Sequence, residues 1–115
     1  MRNILIILKS EDLRLALRDA LQPDYNVTIC GDARAGAELL RQRPDAMVLD
    51  LFLSGPNGFA FLENNRGLLP PATLMLTTMI SDEIIQAASD LGVCYMIRKP
   101  CAISTVVNRL TEYMK

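Results

Sequence analysis

Five short apolar runs alternate with five amphipathic stretches along the whole chain, and that alternation leaves very few architectures open. The first run, residues 3–8, is continuously aliphatic, as a strand buried on both faces must be. Residues 25–30, 45–50, 72–77 and 93–97 are the other runs, rich in β-branched and aliphatic side chains. Between them the apolar residues recur at helical spacing. Ser10 caps a first helix, with Glu11 and Asp12 in its first turn and Leu13, Leu17, Ala20 and Leu21 on one face. Asp32 caps a second helix running to about Arg43, with Ala35, Leu39 and Leu40 as its stripe and Pro44 as its terminator. A third starts near Gly58 and carries Phe59, Phe61 and Leu62. Ser81 caps a fourth, which Gly92 closes. The fifth spans residues 103–114, with Val106, Val107, Leu110 and Met114 facing inward.

Strict β/α alternation implies a parallel sheet with helices on both faces and right-handed crossovers. The chain has 115 residues, half of them hydrophobic, which suits one compact domain spanning residues 1–115. A net charge of −1 provides no field for nucleic acid or an anionic membrane. The chain has no histidine, so the commonest general base and metal ligand is missing. Cys30, Cys94 and Cys101 lack metal-ligand spacing and read as reduced, small core residues of a cytoplasmic protein. No apolar run approaches the roughly 20 residues of a membrane helix, and residues 4–8 are too short for a signal peptide.

In an open parallel sheet the site lies beyond the carboxyl ends of the strands. Lys9, Ser10, Asp50, Thr77, Thr78 and Lys99 occupy those ends and are expected to share one rim. Asp50 closes a buried run and precedes a turn, Ser54-Gly55-Pro56-Asn57-Gly58. A carboxylate there either does chemistry or pairs with a cation.

These residues resemble the receiver domain of two-component response regulators across essentially the whole chain. The resemblance is carried by residues 44–51, then Gly58-Phe59, Leu76-Thr77-Thr78, the Gly92 turn and Lys99-Pro100, in order and at spacing. It implies a flavodoxin-like (βα)5 fold, a doubly wound five-stranded parallel sheet of order 2-1-3-4-5. It also implies Asp50 as the phosphoacceptor, Thr77 as the switch hydroxyl, Lys99 as the phosphoryl contact and a cis bond before Pro100. Where the family places an acidic pair that helps hold Mg2+, this chain has Leu8 and Lys9. Glu11 and Asp12 are better explained as first-turn helix residues. Met96 replaces the switch aromatic, Tyr95 beside it points to the opposite face of its strand, and Ser54 stands where proline is frequent.

Mg2+ prefers octahedral oxygen ligands. Only Asp50 and, by resemblance, the backbone carbonyl of Phe52 would remain to hold it. Lys9 and Lys99 are instead expected to contact Asp50 together, as an internal ion-pair cluster in place of the metal. At about 4 Å each such pair attracts by about 4 kcal/mol at an effective dielectric near 20, before desolvation.

The leading expectation is a degenerate receiver that is not an enzyme, needs no cofactor and acts by protein–protein contact. Its surface would be the last two helices and fifth strand, including Ile84, Ile85, Tyr95, Met96, Ser104 and Val107, which could also form a homodimer. The alternative is a working receiver that uses Mg2+, takes phosphate from a histidine kinase onto Asp50 and catalyses only that self-phosphorylation. A third reading is a small flavodoxin-like cofactor binder, against which stands a first loop, residues 9–12, without the glycines that cradle phosphate. Direct contact of this domain with nucleic acid or membrane is not expected. The sequence is compatible with a stand-alone protein and with the front of a longer regulator whose output domain binds DNA and regulates transcription.

Overall fold

A computed structural model describes residues 1–53 and 57–115. The turn residues Ser54, Gly55 and Pro56 lie outside the described residues, and the expectation about Ser54 with them. The elements follow in chain order: β1 (Asn3–Ile7), α1 (Glu11–Leu21), β2 (Asn26–Cys30), α2 (Ala33–Leu40), β3 (Ala46–Asp50), α3 (Gly58–Asn64), a 3-10 turn (Arg66–Leu68), β4 (Ala72–Thr77), α4 (Asp82–Asp90), β5 (Tyr95–Arg98) and α5 (Ile103–Tyr113). All five strands pair in parallel, in the order β2-β1-β3-β4-β5, the doubly wound architecture expected from the alternation.

Period-two alternation divides the core between the two sheet faces. Ile4, Ile6, Leu8, Val48, Leu74 and Leu76 pack on one side with Leu17 and Leu21 of α1 and Val106 and Leu110 of α5. Leu5, Ile7, Met47, Leu49 and Met75 pack on the other with Leu40, Phe61, Leu62 and Ala88. Every residue of β3 and β4 is buried, which is why those runs are mostly apolar, and Asp50, Thr73 and Thr77 are their buried polar exceptions. Side chains of Ser10, Asp32, Asn57 and Ser81 cap α1 to α4 by accepting a hydrogen bond from the backbone N–H three residues on.

Several of the expected boundaries move by one residue, and two move by two residues or more. α2 ends at Leu40 rather than near Arg43. Arg41, Gln42 and Arg43 donate to carbonyls three residues back, a tightened last turn, and Arg43 then adopts φ 55 before Pro44. The last strand starts at Tyr95 rather than residue 93. Gly92, at φ +100, and Val93 donate to Ser89 O and Ala88 O, so both residues are committed to the α4 C-cap.

The cysteines are less buried than expected. All three are free thiols; Cys94 is exposed and Cys30 and Cys101 are half-buried. Each stands at a strand end or beside it, where the core thins. Burial, with Asp32 nearby, pushes the Cys30 thiol up from 9.0 to about 11. At pH 8 its thiolate fraction is then about 100-fold below that of an unshifted thiol. Iodoacetamide should therefore modify Cys94 well before Cys30, and the Cys30 rate should climb through pH 9 and 10, where an unshifted thiol levels off. Peptide mapping by mass spectrometry checks both.

Candidate functional site

β3 lies between β1 and β4, and its last residue, Asp50, pairs in register with Leu76. The order reverses at β1 and β3, so Asp50 stands at the topological switch point of the sheet. It is 1% exposed. A carboxylate this deep requires compensation from the chain itself.

Two strand ends supply it. The backbone N–H of Lys9, just beyond β1, donates to Asp50 Oδ2 at 2.7 Å. The Lys99 ammonium, just beyond β5, stands 2.5 Å from Oδ1. Oδ1 receives no aligned hydrogen bond from the described residues, so the charge of Lys99 is its compensation. Lys99 is itself 28% exposed, which leaves its ammonium partly hydrated.

The expected pairing of Lys9 and Asp50 side chains is corrected. Lys9 is exposed, and among the described residues only Lys99 brings a cationic side chain within ion-pair distance of Asp50. The reason is local. The chain leaves β1 at this point and turns into the Ser10 cap, so the Lys9 N–H is free of the ladder and faces Asp50. The long side chain keeps its ammonium in water, where hydration costs nothing. Lys9 therefore contributes an amide dipole to the site.

Thr77 ends β4 and is buried; its hydroxyl oxygen accepts the Met79 N–H at 3.0 Å. The Lys99 N–H donates to Thr77 O at 2.9 Å, which holds the ends of β4 and β5 together. The Lys99-Pro100 bond is cis. Arg98 reaches from β5 to Thr78 O at 3.3 Å. Asp50, Thr77 and Lys99 thus share one rim, with Lys9 entering through its backbone.

Glu11 and Asp12 sit in the first turn of α1, and Glu11 lies 3.7 Å from Arg14. Leu8 is fully buried in the α1/α5 core. Met96 packs with the α2/α3/α4 core and Tyr95 with the opposite one, as strand alternation requires. The Arg109 guanidinium lies 4.4 Å above the Tyr95 ring. Phe52 is a large exposed side chain on the rim, two residues after Asp50. Among the described residues no three His, Cys, Asp or Glu side chains gather as a metal-ligating group.

Sequence reasoning missed two residues near the site. Arg14 Nη1 donates to Leu8 O at 2.9 Å, and a side chain at Gly31 would fall on that same guanidinium. Spacing alone marks neither residue, because the contact joins α1 to the loop after β2.

Residues 4–111 match the family model described as the response regulator receiver domain. The chain is 32% identical over 106 residues to protein-glutamate methylesterase/protein-glutamine glutaminase 3 of Burkholderia thailandensis, covering 87% of this chain and 29% of that protein. It is 32% identical over 105 residues to the corresponding enzyme 2 of Saccharophagus degradans, covering 85% and 30%. The chain thus spans less than a third of the length of these curated relatives. Among solved structures, Vibrio cholerae chemotaxis protein CheY4 superposes with a TM-score of 0.88 at 26% identity, covering 98% of each chain. The BeF3-activated N-terminal receiver domain of Klebsiella pneumoniae RstA superposes with a TM-score of 0.84 at 21% identity, again covering 98% of each, a likeness of fold. A family match over nearly the whole chain, on a sheet of this order with the carboxylate at its switch point, means that this chain belongs to the response regulator receiver domain family.

Proposed function

We propose that this receiver domain is a degenerate one, which carries its signal by protein–protein contact with Asp50 held by the chain's own groups rather than by Mg2+. The observation that carries this reading is the occupation of both Asp50 oxygens, Oδ2 by the Lys9 N–H and Oδ1 by the Lys99 ammonium. Mg2+ binds through carboxylates and dehydrates reluctantly. Leu8, at one of the two positions of the family's acidic pair, is buried and has no ligand atom in its side chain; Lys9, at the other, offers the site a backbone N–H and no side-chain oxygen. The donor set does not fit the ion. The partner is a histidine kinase or another signalling protein. Its contact surface is the face of α4, β5 and α5, where Ile85 is exposed and a groove of about 340 Å³ runs between Ile85, Val93, Tyr95 and Met96. A second copy of the chain is the other occupant to test there. No helix among the described residues is long and apolar enough to cross a membrane.

The grouping of Asp50, Thr77 and Lys99 on one rim favours a second reading, in which Asp50 accepts a phosphoryl group from a histidine kinase. Mg2+ titration by calorimetry and acetyl-phosphate labelling read by intact mass separate the two. The degenerate reading expects no saturation at millimolar Mg2+ and no phosphorylated species. Binding at millimolar concentration or below, with ready labelling of Asp50, would overturn it. Lys9→Asp restores a carboxylate at one position of the family's acidic pair and removes an ammonium. It should tighten Mg2+ binding by about tenfold or more, equivalent to about 1.4 kcal/mol; an unchanged titration counts against the substitution of metal by internal groups.

A further inference from the structure

Arg14 and Asp50 do not touch, yet one rigid group joins them. Leu8 O, which accepts from Arg14 Nη1 at 2.9 Å, and the Lys9 N–H, which donates to Asp50 Oδ2 at 2.7 Å, are the two ends of the same peptide unit. We infer that Arg14 is a positioning residue for Asp50, acting through the Leu8–Lys9 peptide plane. The peptide group is planar, so gripping its carbonyl sets the direction of its N–H. A guanidinium on the oxygen also polarises the amide and strengthens the N–H as a donor. The resulting chain of contacts runs from the Arg14 cation through the amide to the Asp50 carboxylate and on to the Lys99 ammonium.

Three further observations support a built arrangement. The Arg14 side chain is only 16% exposed, unusual confinement for an arginine on a surface helix. Gly31, after β2, leaves the space the guanidinium occupies; any side chain there would fall on Nη1. Leu8 is itself pinned on both sides, its N–H donating to Cys30 O and its side chain sealed in the core. The peptide plane therefore has one orientation, and Arg14 holds its outer end.

This device deepens the proposed reading, in which the chain's own groups hold Asp50, and rests on it for its functional weight; the device itself is measurable without phosphate or Mg2+. On the 15N-labelled chain, Arg14→Met and Gly31→Ala should each accelerate hydrogen exchange of the Lys9 amide by about tenfold or more. Both should also move its proton resonance upfield, while the ladder amides of β1 and β3 keep their rates. Arg14→Lys should restore part of the shift, and Arg18→Met, one turn further along α1, should leave it unchanged. An unchanged Lys9 amide in a folded Arg14→Met protein would overturn the assignment. So would equal acceleration of all strand amides, which would report a general loss of stability. If Arg14→Met does not fold, Gly31→Ala decides alone, by the same readouts. Mg2+ binding or acetyl-phosphate labelling would overturn the degenerate reading and leave the amide result standing, and failure of the amide result would leave the degenerate reading standing.

Discussion

Lys99→Met should destabilise the domain by about 2–3 kcal/mol, less than the roughly 3–5 kcal/mol lost when one partner of a fully buried ion pair is removed. Asp50 is 1% exposed and Lys99 is the cation at its Oδ1, so methionine leaves an ionised carboxylate uncompensated on one side. The reduction has two causes: Lys99 is partly hydrated already, and the Lys9 N–H remains on Oδ2. A double-mutant cycle isolates the pair. Asp50→Asn added to Lys99→Met removes the stranded charge, so it should recover part of the lost stability in urea denaturation. If Lys99→Met costs no more than an ordinary surface substitution, about 0.5 kcal/mol, the ion pair does not stabilise the fold.

Gly58→Ala should cost about 2 kcal/mol although alanine is the better helix former. A Cβ on Gly58 would lie 2.6 Å from Asp50 O and 2.9 Å from Leu51 Cα. Both are backbone atoms of the segment leaving β3, so neither can rotate away. Relief requires α3 to move off the strand, which stretches the bond from the Gly58 N–H to Leu51 O and shifts Asp50 itself. Helix propensity returns at most about 1 kcal/mol and overpacking takes about 1–3, occasionally more. Gly67→Ala is the internal control. Nothing lies within 4 Å of its Cβ position, so a change within about 0.5 kcal/mol is expected. Equal midpoints for the two variants would refute the close approach of α3 to the site.

The fold was legible because its determinants are local. Buried strands such as β3 and β4 must be mostly apolar, with Asp50, Thr73 and Thr77 as their polar exceptions, helices must carry an apolar stripe, and the caps Ser10, Asp32 and Ser81 announce themselves by residue type. Boundaries failed where a terminus is set by hydrogen bonds to residues already passed. The Gly92–Val93 cap delays β5, and the tightened turn before Pro44 shortens α2. Cys94 was misjudged because an apolar run does not reveal which of its residues fall outside the ladder.

The site divides along the same line. Residue type and chain order were sufficient to bring Asp50, Thr77 and Lys99 to one edge, because in a parallel sheet all strands end on the same side. The part played by Lys9 was not, since a sequence displays an ammonium and does not display an amide. Only the tertiary structure decided that Lys9 faces Asp50 with its N–H, that Arg14 grips the other end of that peptide, and that Gly31 leaves the space for it. Backbone dipoles are carried by every residue alike. Their direction is set by packing between segments distant in the chain, so no pattern of side chains records it.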